Sequence, residues 1–184
     1  MKAIAEMSLG ELAAYVCSHL ERKNMPVVLS GGGCVAIYAS DQYSSMDLDF
    51  IQRLHATRQK LKSALAEIGF REKNRYYVHP ETPFFLEFPS GPLAVGGEPV
   101  VTVEELRLET GTLRLLSPTD CIKDRLAAFY HWNDRQCLQQ AVWVALEREV
   151  DWNELERWSR QEGEMDKFNE FRKTISQDVD RLRT

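Results

Sequence analysis

No stretch of this 184-residue chain carries the ~18 consecutive apolar residues that a membrane-spanning helix needs. The first two dozen residues place Glu6 and Glu11 where a secretory signal would have its apolar centre, so none is expected there. Nor is there a basic excess. Lys and Arg number 23 against 28 Asp and Glu, a formal charge of −5, which gives no bulk attraction to nucleic acid. The four cysteines (Cys17, Cys34, Cys121, Cys137) show no C-x-x-C spacing and sit in apolar, helix-like surroundings. They read as reduced core thiols rather than disulfides or a zinc site, and the expected compartment is the cytoplasm. Internal repeats and low-complexity tracts are absent.

What is present is the composition of a globular protein: 43% hydrophobic, 28% charged, with 8 Phe, 6 Tyr and 4 Trp. A chain of this size buries roughly 70% of the surface it exposes when unfolded. Leu9, Leu12, Ala13, Val16, Cys17 and Leu20 recur at three and four, and Ser8 with Glu11 makes a capping box, so a helix begins near Ser8. Val27–Leu29 is a buried strand cut off by Gly31-Gly32-Gly33, and residues 34–39 are expected to be helical. Residues 46–51 alternate polar and apolar, as a strand does. A helix is expected over 56–68 and strands over 75–78 and 84–88. Further short strands are expected at 100–101, 106–109 and 113–116, the last two a hairpin around Thr110-Gly111. After Ser117-Pro118 the pattern is continuously helical: 118–131, 134–149, 151–161 and 164–182. The expected organisation is thus an α/β domain over 1–116 and a C-terminal helical region over 117–184.

Three features carry chemistry. Asp47 and Asp49 stand two apart on one strand and so share a face, while Leu48 and Phe50 point inward. Two close carboxylates are costly unless a cation lies between them, and Mg²⁺ or Mn²⁺ takes oxygen ligands of this kind together with substrate phosphates. The plain alternative is a solvated strand face. Glu87 sits in an otherwise apolar run, Phe84–Phe88. If its strand pairs beside the aspartates' strand, three acids converge; otherwise it is an edge charge facing water. Finally, the glycines after the buried strand let a backbone approach a phosphate closely. Gly31-x-Gly33-x-x-Ala36 also matches a dinucleotide fingerprint. The apolar Phe50-Ile51 after Asp49 and the lack of further βαβ units argue against that fold and against a dinucleotide-dependent oxidoreductase. No Lys-Ser/Thr follows to make a Walker loop.

Leu29-Ser30-Gly31-Gly32-Gly33, thirteen residues, then Asp47-Leu48-Asp49-Phe50-Ile51 resembles the signature of the nucleotidyltransferase superfamily. Ser45, two before the first aspartate, is similar to the AbiEii-like branch, which includes toxins of toxin–antitoxin pairs. The resemblance is carried by residues 27–51 and extends over 75–125. It implies an α+β fold, a small mixed sheet with flanking helices followed by a C-terminal helical part. It also implies a Mg²⁺ site on Asp47, Asp49 and a third acid, here Glu87, with an NTP as substrate. Ser30, Gly31, Gly32, Gly33 and Ser45 would bind the nucleotide, helped by Lys123 from the helix after Pro118; a solvated helix lysine is the plain reading of Lys123. The reaction implied is transfer of a nucleoside monophosphate to a hydroxyl on a protein, an RNA 3′ end or a small molecule. An antitoxin-like protein partner follows if the chain is a toxin. The alternative is a non-catalytic binding or regulatory protein of the same fold.

Other residues carry less. His19, His55 and His131 lie in separate helical contexts with no metal spacing, and His79, before Pro80 in a turn, either lines a cleft or stands exposed in its loop. Trp143, Trp152, Trp158, Phe168, Phe171, Ile175, Val179 and Leu182 fall at helical intervals and read as core, though the 168–182 stripe approaches a heptad seam that would suit a homodimer.

Overall fold

The computed structural model describes residues 2–182. After a 3₁₀ turn at Ile4–Glu6 the order is α1 (Leu9–Arg22), β1 (Val27–Ser30), α2 (Gly31–Tyr38), β2 (Asp47–Gln52), α3 (Arg58–Ala66), β3 (Arg71–Lys73), β4 (Tyr76–Val78) and β5 (Phe85–Glu87). Then come β6 (Ala94–Val95), β7 (Glu98–Pro99), β8 (Val103–Leu108), β9 (Gly111–Leu116), α4 (Pro118–Trp132), α5 (Arg135–Glu147), α6 (Trp152–Gln161) and α7 (Met165–Leu182).

Local chemistry accounts for most boundaries. Ser8 and Glu11 form the expected reciprocal capping box on α1. Ser117 caps α4 by accepting from the Asp120 N–H at 3.1 Å, Pro118 takes the first helical position, and Asn133 closes the helix in the left-handed conformation. Asp134 and Asp151 cap α5 and α6 through the N–H groups of Cys137 and Glu154, both at 3.0 Å. Each such cap is worth about 1 kcal/mol.

Seven strands form one mixed sheet in the order β3-β4-β5-β2-β1-β9-β8, and β6 and β7 pair separately. At its centre β2 is antiparallel to β1 and parallel to β5. Leu29, Leu48, Phe50, Tyr77 and Leu86 fill one face of this centre. Helix α1 lies along β1, β8 and β9, whereas α2 lies on β2 and carries α4 and α5. A single apolar cluster runs from Leu12 and Val16 through Leu29, Phe50 and Leu86 to Phe129, Trp158, Phe168 and Phe171.

Three expectations need correction. Residues 71–73 form a strand that no apolar alternation announced. Arg71-Glu72-Lys73 is an edge strand, where charged side chains guard the unpaired backbone. Residues 100–101 are not a strand: the pairing is Ala94–Val95 with Glu98–Pro99 around Gly96-Gly97, and Val101 stands 87% exposed. Helix α2 begins at Gly31 rather than near Cys34, so the glycines are its first turn.

All four cysteines are free and buried. Phe168 and Phe171 are consumed within the chain's own core, and Ile175 packs against it; the side chain of Leu182 lies outside the described residues. Among the described residues no helix is long and apolar enough to cross a membrane.

Candidate active site

The register of the sheet builds the site. Ser30 on β1 pairs with Asp49 on β2, Asp49 with Glu87 on β5, and Glu87 with Tyr76 on β4. Directly paired residues point to the same face, so these four form one row across four strands. Asp47, two before Asp49, shares that face, opposite Phe85. Glu87 therefore stands beside the aspartates.

Above this row the chain turns from β1 into α2. Gly31 adopts φ +63°, and a Cβ there would fall 2.3 Å from Asp49 Oδ2; only glycine lets the helix start so close to the carboxylate. A Cβ on Gly32 would meet Tyr43 Oη at 3.1 Å and Ser45 Oγ at 3.4 Å, which puts Gly32 on the rim of the site. Gly33 faces inward, against the Asp47 carbonyl and the side chains of Leu29 and Leu48. Its missing side chain serves close helix–sheet packing.

The serines hold the aspartates in place. The buried Ser45 hydroxyl donates to Asp47 Oδ1 and accepts the Asp47 N–H at 3.3 Å. Ser30, also buried, donates to the Asp49 carbonyl at 3.3 Å. Among the described residues no donor hydrogen-bonds the Asp49 carboxylate. Burial, then the charges of Asp47 and Glu87, push its carboxyl up to about 7, with Arg125 opposing them. A half-buried carboxylate with two acids beside it and no donor on it is deficient in positive charge.

The Arg125 guanidinium is anchored by Asp124 (Nη2 to Oδ2, 2.5 Å) and Gln140 (Nη1 to Oε1, 3.3 Å). Lys123 lies elsewhere. Its buried ammonium contacts Glu154 at 2.5 Å and Asp120 at 3.4 Å, in a cleft shared with Glu98 and Arg157. Two residues along a helix are separated by about 200°, so Lys123 and Arg125 face different neighbours. Arg75, in the two-residue turn between β3 and β4, is the other cation missed in the sequence. Its Nε lies 3.4 Å from Glu87 Oε1, and its guanidinium covers the Tyr76 ring at 4.8 Å.

Asp47 and Asp49, both half-buried on one face of β2, are the pair whose oxygens could hold a hard divalent cation. Glu87 is drawn toward Arg75, and among the described residues no three His, Cys, Asp or Glu side chains converge on one point as they stand.

No family model matches the chain, and no curated protein matches it. Solved structures do. An antigenic nucleotidyltransferase-like protein from Paracoccidioides brasiliensis superposes with a TM-score of 0.56 at 16% identity, over 74% of each chain. The antibiotic-resistance factor ANT(2'')-Ia aligns over 95% of this chain and 94% of its own, at 12% identity and a TM-score of 0.48. The chain has the nucleotidyltransferase fold, a mixed sheet with flanking helices and a C-terminal helical part.

Proposed function

We propose that this protein is a metal-dependent nucleotidyltransferase, passing a nucleoside monophosphate from an NTP to a hydroxyl acceptor. The observation that carries this is the row of Asp49 and Glu87, with Asp47 on the same face, under the glycine turn at Gly31. Asp47 and Asp49 would hold Mg²⁺ or Mn²⁺, which when bound supplies the positive charge that offsets the triphosphate. Ser45 orients the Asp47 carboxylate. Gly32, on the rim, leaves space for the triphosphate against the start of α2, whose N–H groups favour anions, and Arg125 adds fixed positive charge behind Asp49. Glu87 takes the proton from the acceptor hydroxyl as that oxygen attacks the α-phosphorus. The bond to the β-phosphate oxygen breaks, and pyrophosphate leaves.

The finer reading, a cytoplasmic toxin held by an antitoxin-like partner, rests on the AbiEii-like spacing around Ser45 and Asp47. It predicts growth arrest on expression that Asp47→Asn relieves. A second reading, nucleotide binding without transfer, is favoured by one observation: Glu87 is engaged by Arg75.

The test is thermal unfolding with each of the four NTPs, with and without Mg²⁺ or Mn²⁺, followed by pyrophosphate release. A ligand at 100 times its Kd adds about 2.7 kcal/mol. A metal-dependent rise lost in the double variant Asp47→Asn/Asp49→Asn is expected. No rise with any NTP would refute transfer at these carboxylates.

A further inference from the structure

The carboxylate row continues past Tyr76 to the edge of the sheet. Tyr76 on β4 pairs with Lys73 on the edge strand β3, so Ser30, Asp49, Glu87, Tyr76 and Lys73 stand in line on one face. The neighbouring row on that face runs Asp47, Phe85, Val78, Arg71. From centre to edge the face therefore passes from acids, through a partly apolar and aromatic middle, to cations. Tyr76, Val78 and Phe85 are half-buried there, whereas Tyr77 and Leu86 on the opposite face are buried. Strands lie about 4.8 Å apart, so the backbone at Lys73 is roughly 10 Å from that at Glu87.

Arg71 and Lys73 are exposed, and among the described residues neither takes part in an ion pair. Glu72, between them, points the other way and is engaged by Arg58 and Lys62. The segment 53–75 holds seven of the 23 Lys and Arg but only two of the 28 Asp and Glu. The net charge of −5 is therefore carried elsewhere, and this edge is a local excess of positive charge.

Two observations select the ligand. Arg71 and Lys73 are about 7 Å apart along β3, comparable with the step between successive phosphates of an extended single strand, and both groups bind phosphate. Beside them the Arg75 guanidinium lies 4.8 Å above the Tyr76 ring, with Phe85 edge-on to that ring at 4.9 Å. Unpaired bases stack on aromatic rings and guanidinium planes of this kind, whereas the bases of a duplex are already stacked on one another.

We propose that this sheet face is the acceptor site and that the acceptor is the 3′ end of a single-stranded nucleic acid. Its backbone phosphates lie on Arg71 and Lys73, its last base stacks at Tyr76 and Arg75, and its 3′ hydroxyl reaches Glu87. This rests on the nucleotidyltransferase reading. The 3′ oxygen bonds to the α-phosphorus of the NTP, Glu87 takes its proton, the bond to the β-phosphate oxygen breaks and pyrophosphate leaves. The strand gains one nucleotide.

The experiment is fluorescence anisotropy of the full chain in EDTA with 5′-labelled RNA and DNA 12-mers, single-stranded and as duplexes. Single strands are expected to bind more tightly than duplexes, and RNA or DNA is equally a supporting outcome. Affinity should fall about tenfold or more in Arg71→Gln/Lys73→Gln, with the slope of log K against log salt shallower by about 1.4. It should be retained in Asp47→Asn/Asp49→Asn and in Arg58→Gln, which lies on the other side of β3 beside Glu72. With MgNTP the bound strand should lengthen by one nucleotide on a denaturing gel, and the same strand ending in a 3′-deoxy sugar should bind but not lengthen. No strand binding, tighter duplex binding, or binding indifferent to Arg71→Gln/Lys73→Gln would overturn the proposal, as would transfer to kanamycin in place of the strand. Metal-dependent NTP binding without strand binding sinks the acceptor assignment alone. Strand binding with neither NTP binding nor lengthening sinks the transferase reading, and the acceptor role with it.

Discussion

Asp49→Asn is expected to make the metal-free protein more stable, and more so as pH rises. The Asp49 carboxyl is pushed from 3.8 to about 7 by burial and by the charges of Asp47 and Glu87. Between those two values the folded chain holds a proton that the unfolded chain has released. Stability is therefore lost as pH climbs through that window and changes no further above it. The full separation corresponds to about 4 kcal/mol, and screening at a half-open site reduces it to roughly 2 kcal/mol. Asparagine keeps the shape and removes the charge, so the gap between variant and wild type should be small near pH 4, partial at pH 5 and complete by pH 8. For a chain of this length 1 kcal/mol moves Tm by about 2–4 °C, so the variant should melt roughly 4–8 °C higher at pH 8. Calorimetry in EDTA across that range measures it directly. A variant that melts at or below wild type at pH 8, or a gap that does not widen with pH, refutes the claim that the three acids press on one another.

Gly31→Ala should cost about 1–2 kcal/mol from the left-handed backbone and should also displace Asp49, whose Oδ2 lies 2.3 Å from the new Cβ. Tm and metal-dependent NTP binding should fall together; unchanged NTP binding would show that Asp49 is free to move. Ser45→Ala removes the hydroxyl that donates to Asp47 Oδ1 and accepts its N–H. The expected loss is about 1 kcal/mol of stability, with weaker Mg-NTP binding by titration. Lys123→Met should lower Tm and leave NTP affinity unchanged, because the ammonium is engaged by Glu154 and Asp120. Arg125→Gln should weaken NTP binding while Asp49→Asn/Arg125→Gln weakens it no further than Asp49→Asn, a cycle read by calorimetric titration.

The aspartate pair was legible in the sequence because a period of two fixes which side chains share a face, whatever the strand pairs with. Glu87 was legible only as a candidate. Its meeting with Asp49 depends on β5 lying beside β2, and nothing within Phe84–Phe88 states its neighbour. That Arg125 rather than Lys123 stands near Asp49 depends on how α4 is rotated against α6 and the 95–102 segment, which are distant in the chain. Charged β3 carried no apolar signal. The glycine run signals a close backbone approach, and the structure gives each glycine its own neighbour: Gly31 clears Asp49, Gly32 opens the rim, and Gly33 packs on β1 and β2.

Because β2 and β5 run parallel, the chain between them, α3 and the β3–β4 hairpin, must be in place before Asp49 and Glu87 can stand together. The two aspartates share a strand, whereas their acidic companion reaches them only through a non-local pairing and its loop closure. Like charges thus meet only when the sheet itself is formed. A ligand that neutralises them has nothing to grip in the unformed sheet, so its kinetic signature should be slower unfolding with an unaltered refolding rate.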